Sequence, residues 1–227
     1  MTSLLALDAS SSACSVALWM DGHVISRVEH APRGHTRRLM PMIDAILDEA
    51  GIVRTSLDAI AYGHGPGSFT GIRIAAGVAQ GIAYGLGCPL LGVSTLRALA
   101  QGGWQRDGAS LIMPALDARL GELYVALYRV EQGRLEVVMA DGVMAPEALS
   151  LPSCQPGSIT MIGSGVALLD RVSPEIQEYV ATTLEHREPE ACDIAQLAAM
   201  DFASGLITRP QEALPIYLRD QVVSSKR

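Results

Sequence analysis

Two aspartates in this 227-residue chain sit inside the same phrase. Residues 6 to 19 read ALDASSSACSVALW and residues 115 to 128 read ALDARLGELYVALY. At an offset of 109 they share Ala-Leu-Asp-Ala and then Val-Ala-Leu before a large aromatic residue. Asp8 and Asp117 each close an apolar run and precede a turn and a second run. A carboxylate at such a strand end can hold Mg²⁺ or a water near phosphates, while turn amides and hydroxyls bond phosphate oxygens. Turns that take phosphate in this way usually need glycine, because backbone must approach the oxygen closely. Here the turns are Ala9-Ser10-Ser11-Ser12 and Ala118-Arg119-Leu120-Gly121. Two readings follow: a phosphate clamp built on Asp8, Ser10 and Asp117, or strand-end carboxylates that cap their own turn amides.

A second candidate is GHGPGSFTGIRIAAGVAQGIAYGLG, residues 63 to 87. Gly65-Pro66-Gly67 forces a turn after an apolar run, and Ser68 or Thr70 can cap the helix that follows. A helix N-terminus behind such a turn can bind an anion, yet GPGSFTG lacks the G-x-x-x-x-G-K-[ST] pattern of a nucleotide loop. The helix itself carries Gly77, Gly81 and Gly85 four apart on one face. Each costs close to ~1 kcal/mol of helix propensity relative to Ala, so close packing must offset it. The neighbour is either the helix's own lobe or another chain.

Other chemistries are narrowed by composition. Of 17 cationic residues 16 are Arg and the only Lys is Lys226, which removes a Walker-type lysine or a Schiff base from the body of the fold. With 24 acids the net charge is -7, unsuited to unaided nucleic-acid binding. Cys14, Cys88, Cys154 and Cys192 form no C-x-x-C pair and read as buried free thiols. His23, His30, His35, His64 and His186 share no ligand spacing, and His35 and His64 precede helices as turn or capping residues. No metal site is expected. A peptidase would need an activated nucleophile or H-E-x-x-H, and neither motif is present.

The elements that must position these residues follow from periodicity. Ser3 to Ala9, Cys14 to Met20 and His23 to His30 read as a three-stranded meander, with Asp21-Gly22 as a turn. Helical spacing of Leu39, Met40, Ile43, Ile46, Leu47 and Ala50 predicts a helix from about Thr36 to Ala50 with Gly51 as its stop, and with Pro41 near its first turn or at a kink. Strand at Leu57 to Tyr62, helix at Phe69 to Leu86, strand at Pro89 to Val93 and helix at Ser94 to Gln101 follow. The Gly102-Gly103 and Arg106-Asp107-Gly108 stretch is a plausible boundary. The programme then restarts with strands at Leu111 to Leu116, Glu122 to Val130 and Arg134 to Met139, which makes internal duplication the simplest account of the repeated phrase. Ile159 to Ile162 is strand, Cys192 to Ser204 helix and Leu214 to Arg219 an extended tail. A soluble α/β protein with a mixed sheet under helices is expected, in the cytoplasm, since neither a signal peptide nor an 18-residue apolar run is present.

The run GPGSFTGIRIA, together with LALDASSSACSVAL, ALDARLGELYVALY and PIYLRD, is similar to the TsaB family of bacterial tRNA threonylcarbamoyladenosine biosynthesis proteins over essentially the whole chain. The resemblance implies a duplicated, RNase H-like two-lobed fold of the kinase, actin and chaperone-ATPase class, with a mixed sheet in each lobe. Residues 1–104 would be the N-terminal lobe carrying the partner-binding helices. Residues 105–227 would be a smaller, degenerate C-terminal lobe whose tail packs back on the first. It further implies a non-catalytic subunit, required for modification of adenosine 37 in tRNAs reading codons that begin with A. Its expected partners are a TsaD-type transferase, a TsaE-type ATPase in a ternary complex, and a second copy of itself on an overlapping surface. tRNA would be met only through the complex, and ATP and Mg²⁺ would be held there rather than tightly by the isolated chain. The metal-binding histidines of the catalytic relative correspond to Thr95 and Leu99 here, neither of which can replace imidazole. The partner surface would comprise Leu39, Ile43 and Ile46 of the first helix and Phe69, Arg73, Ile74, Gly77, Val78, Gly81 and Gly85 of the second. The alternative is a small ATP-dependent kinase using Asp8 and Asp117 around Mg²⁺.

Overall fold

The computed structural model describes residues 2–30 and 34–219. The chain opens with β1 (Ser3–Asp8), β2 (Ala13–Met20) and β3 (His23–His30), an antiparallel meander. Helix α1 (His35–Ala50) follows and ends at Gly51, whose φ of 66° supplies the left-handed cap. Pro41 lies inside α1, beyond its first turn. Then come β4 (Ala59–Gly65), α2 (Phe69–Leu86), β5 (Leu90–Ser94) and α3 (Thr95–Asp107). The second half contains β6 (Leu111–Asp117), β7 (Leu123–Glu131), β8 (Arg134–Met144), β9 (Ile159–Ile162), a single turn α4 (Pro174–Gln177), β10 (Val180–Leu184) and α5 (Ala191–Ala203).

The duplication is visible in the sheets. Their strand orders are β3-β2-β1-β4-β5 and β8-β7-β6-β9-β10, with the same alternation of two antiparallel and two parallel pairings. This is a duplicated two-lobed α/β fold of RNase H-like type. The halves differ at the repeated phrase. Leu7 pairs with Val16 in the first hairpin, whereas Val125 pairs with Ala115 rather than with Leu116 in the second. The second turn is therefore one residue shorter. Because strand side chains alternate between faces, Asp117 cannot hold the place relative to Val-Ala-Leu that Asp8 holds.

Helices do not respect the division of the sheets. The outer face of the first sheet, including Leu5, Leu7, Val16 and Ile60, packs against Leu39, Ile43 and Ile46 of α1 and Ala75, Ala79 and Ala83 of α2. Its inner face, Leu4, Ala6, Ala17, Ala59 and Ala61, is covered by Ile194, Ala195 and Ala198 of α5 from the second half. Conversely, Leu96, Leu99 and Ala100 of α3 pack on Ile112, Leu116, Ala126 and Ile162 of the second sheet. A boundary between residues 104 and 105 would cut through α3. The glycines expected to mark it, Gly102 and Gly103, are buried within that helix, where small size lets the second lobe come close. Two Arg–Asp forks tie the crossing helices together: Arg97 to Asp201 at 2.7 and 3.2 Å, and Arg106 to Asp193 at 2.9 and 2.8 Å.

The glycine loop explains how α2 is seated. Ser68 N–H donates to Ser10 carbonyl at 2.7 Å, and Ser68 Oγ accepts from Gly71 N–H at 3.3 Å as the N-cap. A Cβ on Gly67 would lie 2.7 Å from Ser10 O, and one on Gly71 would lie 1.8 Å from Ala9 O. These glycines allow backbone of the helix start to press on backbone of the first turn. His64 is part of β4 rather than of a turn, because that strand runs on to Gly65.

Residues of the tail lie against the first lobe. Gln80 Nε2 donates to Pro210 and Ala213 carbonyls at 3.0 and 2.6 Å, and Ile216 N–H donates to His64 carbonyl at 2.8 Å. Arg219 then reaches the second lobe, where it pairs with Glu122.

The seating of α2 yields a prediction. Gly71→Ala forces the helix away from the first turn and should lower unfolding free energy by about 3 kcal/mol or more. Chemical denaturation measures this, and a variant as stable as the parent would show that the contact does not constrain the fold.

Candidate functional site

Two regions gather the residues singled out by sequence. The first is the outward face of α2. Phe69, Arg73, Gly77, Gly81 and Gly85 recur every fourth residue and are all exposed, while Ala75, Ala79 and Ala83 turn to the core. Among the described residues a Cβ built on Gly77, Gly81 or Gly85 meets nothing within 4 Å. Packing within the lobe therefore does not offset the propensity lost at these three positions. At the start of the stripe the Arg73 guanidinium lies 3.5 Å from the centre of the Phe69 ring, and its Nε donates to Tyr217 Oη at 2.8 Å. This stack holds two aromatic rings at the surface. Toward the other end Tyr84 is 70% exposed.

Leu39, Ile43 and Ile46 are not on this surface. All three are 0% exposed and belong to the core beneath α1, whose outward positions are Arg37, Arg38, Pro41, Asp44, Asp48 and Glu49. The helical period that made the stripe conspicuous is the signature of the buried face. Ile74 and Val78 are half-buried against the same core, at the margin of the glycine stripe.

The second region is a cleft of ≈1380 Å³ where the turns of both sheets meet, with Ser10, Ser11, Asp117, Arg119, Glu188 and Arg219 in its wall. Asp8 does not reach the cleft. It is 0% exposed, and its Oδ2 accepts from Ser10 N–H at 3.0 Å and Ser10 Oγ–H at 2.9 Å. Asp117 behaves in parallel: Oδ1 accepts from Arg119 N–H at 2.7 Å, and the Arg119 guanidinium lies 3.2 Å from Oδ2. In both copies the carboxylate caps the amide two residues on, the second of the two arrangements open to the sequence. The turns are otherwise unlike. Arg119 and Leu120 take φ of 64° and 55° ahead of Gly121, a left-handed run forced by the shorter connection.

Burial drives the electrostatics. Desolvation pushes the Asp8 carboxyl from its usual value up to about 7, against the lowering effect of the Ser10 hydrogen bonds and with the charge of Glu188 adding to the rise. Among the described residues Asp8 Oδ1 has no hydrogen-bond partner, and it would contact a Cβ on Gly63 at 2.0 Å, so glycine is required there. Desolvation likewise drives His64 down to about 4, partly opposed by the charge of Asp141. That imidazole is neutral at physiological pH. Thr95 donates to the Pro66 carbonyl and Leu99 lies in the core under the second sheet, so the two places where the resemblance puts metal-binding histidines are structural. All four cysteines are free; Cys14 and Cys88 are buried, but Cys154 and Cys192 are only half-buried. Among the described residues no three His, Cys, Asp or Glu side chains form a metal-holding group, and no helix is long and apolar enough to cross a membrane.

Sequence reasoning missed Glu188, Tyr217 and Arg219, which reach their sites from the connection before α5 and from the tail. No local pattern marks Glu188, whereas Tyr217 and Arg219 fall in the PIYLRD run without a role being assigned to them there. Their partners lie 177, 144 and 97 residues away along the chain.

Comparison with known proteins places this geometry. Residues 25–221 match the family described as TsaD, tRNA N6-adenosine threonylcarbamoyltransferase. The tRNA threonylcarbamoyladenosine biosynthesis protein TsaB of Escherichia coli is 40% identical, with 98% of this chain and 97% of that protein aligned. The protein of the same name from Haemophilus influenzae is 35% identical over 98% of this chain and 96% of its own. Among solved structures, YeaZ from Pseudomonas aeruginosa is 39% identical, covers 96% of this chain and 100% of its own, and superposes with a TM-score of 0.90.

The raised Asp8 carboxyl makes stability fall with pH. Between about 4 and about 7 the folded chain keeps a proton that the unfolded chain has released, so stability is greatest below this window and lost across it. Asp8→Asn removes that titration and still offers an acceptor to Ser10. Its stability relative to the parent should rise by up to about 4 kcal/mol between pH 4 and pH 8. Denaturation midpoints at the two pH values test this; a constant difference would mean that Asp8 does not titrate in that range.

Proposed function

The chain belongs to the TsaB family of tRNA threonylcarbamoyladenosine biosynthesis proteins, and on that footing we propose that it is a non-catalytic subunit that binds and activates a TsaD-type transferase through the exposed face of α2. The single observation that carries this reading is the open glycine stripe: helix propensity is sacrificed at Gly77, Gly81 and Gly85 with no neighbour among the described residues to compensate. A partner helix can approach such a face closely, with Ile74 and Val78 at its margin and the Phe69, Arg73 and Tyr217 stack at its end.

In this reading a second copy of the chain competes for the same face, so homodimer and heterodimer exclude one another. A TsaE-type ATPase joins the pair as a ternary complex, tRNA is engaged by the assembly, and ATP with Mg²⁺ is held there. The chain works in the cytoplasm. The geometry around Asp8 and Asp117 supports the absence of chemistry in this subunit. One carboxyl is buried away from the cleft and the other is engaged by Arg119. A kinase built on those two aspartates would need both free for Mg²⁺.

Gly81→Leu tests the interface. The added side chain enters open space, so the isolated variant should melt at or slightly above the parent temperature. Its co-purification with a TsaD-type protein should fall at least about ten-fold, together with threonylcarbamoyladenosine in tRNA. Retention of both would exclude the α2 face as the contact.

A further inference from the structure

Arg73 is the one charged residue of α2, and its guanidinium is held in place without being neutralised. It lies 3.5 Å from the centre of the Phe69 ring and 5.4 Å from that of Tyr217, and Nε donates to Tyr217 Oη at 2.8 Å. These contacts occupy one face of the guanidinium and its Nε–H. Among the described residues the fork of Nη1 and Nη2 makes no hydrogen bond and no ion pair. On neighbouring α1 the charges behave otherwise, since Arg38 pairs with Glu29 and Asp44 with Arg54.

Both rings are fixed from elsewhere in the fold. Phe69 opens α2, whose start is pinned by Ser68 N–H on the Ser10 carbonyl at 2.7 Å. Tyr217 stands between two anchors of the tail: Ile216 N–H on the His64 carbonyl at 2.8 Å, and Arg219 on Glu122 and on the Ala118 carbonyl at 3.3 Å. A free arginine gives up rotamer freedom when it takes a partner, whereas here that freedom is already removed in the isolated chain. The fork is therefore a preorganised donor pair, with the planar geometry that receives a carboxylate on two hydrogen bonds. It is exposed at one end of the Gly77, Gly81 and Gly85 stripe, beside a helix face that carries no other charge. A lone cation next to an uncharged face that allows close approach fits a side-chain carboxylate on a docked helix better than a multiply charged phosphate.

We infer that the clamped Arg73 fork receives a carboxylate of the TsaD-type partner, and that this ion pair fixes where along the glycine stripe the partner helix sits. The inference rests on the reading of the α2 face as the partner surface. A stripe of glycines admits a close helix but has nothing to stop it sliding by a turn. A charged fork at one end, covered as the helix closes over it, selects one register, because every other leaves a desolvated guanidinium unmatched. The partner therefore carries Asp or Glu level with Arg73 on the helix that lies over Gly77, Gly81 and Gly85. In a second copy of this chain α2 has no acidic residue, so α2 packed on α2 leaves the fork unmatched and the partner is favoured over self-association.

Affinity for the cognate TsaD-type protein, measured by titration calorimetry at low and at high salt with Gly81→Leu as the reference, tests this. Arg73→Met keeps an unbranched stem between the rings without the charge. It should bind at least about ten-fold more weakly than the parent at low salt, and the difference should narrow at high salt. Arg73→Lys keeps the charge without the planar fork and should fall between the two. Tyr217→Phe keeps the ring but releases Nε, and should weaken binding less than Arg73→Met does. If Gly81→Leu weakens association and Arg73→Met does not, the inference is overturned while the α2 reading stands. A loss in Arg73→Met that is the same at both salt concentrations also overturns it, since the stack would then be no more than a tie for the tail. Competition by inorganic phosphate at fixed ionic strength, seen with the parent and absent from Arg73→Met, would assign the fork to a phosphoryl group instead. If neither Gly81→Leu nor Arg73→Met weakens binding, the α2 reading fails and the inference with it.

Discussion

The close backbone contact between the start of α2 and the turn after β1 sets the rest of the structure. Ser68 donates to Ser10, and Gly67 and Gly71 lie where any Cβ would strike the Ser10 and Ala9 carbonyls. With the helix start fixed on that turn, α2 turns its alanines to the sheet and its glycine stripe to solvent. The same contact encloses the end of β1, so that Asp8 is fully buried and the next hydroxyls, Ser11 and Ser12, point to Glu188. The exposed face of α2 and the occupied turn are thus two consequences of one packing decision.

Stability is given up in several places without local return. Three exposed glycines weaken a helix whose other face is well packed, and a buried carboxyl keeps one oxygen unpartnered. Such departures from locally favourable choices concentrate where a chain meets something outside itself or retains an older geometry. The glycines fit the former. Asp8 fits the latter, since both copies of the repeated phrase keep an aspartate that caps its own turn.

The crossed helices explain why the lobes are not independent. Each inner sheet face is closed by a helix from the opposite half of the sequence, α5 on the first and α3 on the second. The Arg97–Asp201 and Arg106–Asp193 forks then fix these helices to each other in partly desolvated surroundings. Removing either half would expose an apolar inner surface of the other, alanine-rich on the first sheet and built of Ile112, Leu116, Tyr128 and Ile162 on the second, so the short second lobe is held as part of a single body.

By itself the sequence determined the element types of the first half and most of those of the second, though neither α4 nor β10, together with the duplication, the family and the glycine loop, because these rest on local periodicity, on turn residues and on motifs read in order. The first meander, α1 and α2 lay close to their expected limits, and the stripe at residues 77, 81 and 85 was legible from spacing. The apolar period of α1 already carried the signature of a buried face, yet the resemblance placed Leu39, Ile43 and Ile46 on a partner surface from which the core withdraws them. Only the tertiary structure settled the slipped register that separates Asp117 from Asp8, and the crossing of α3 and α5. Likewise only the fold brings Glu188 to Ser11 across 177 residues of chain, because a hydrogen bond depends on distance in space and leaves no period in the sequence.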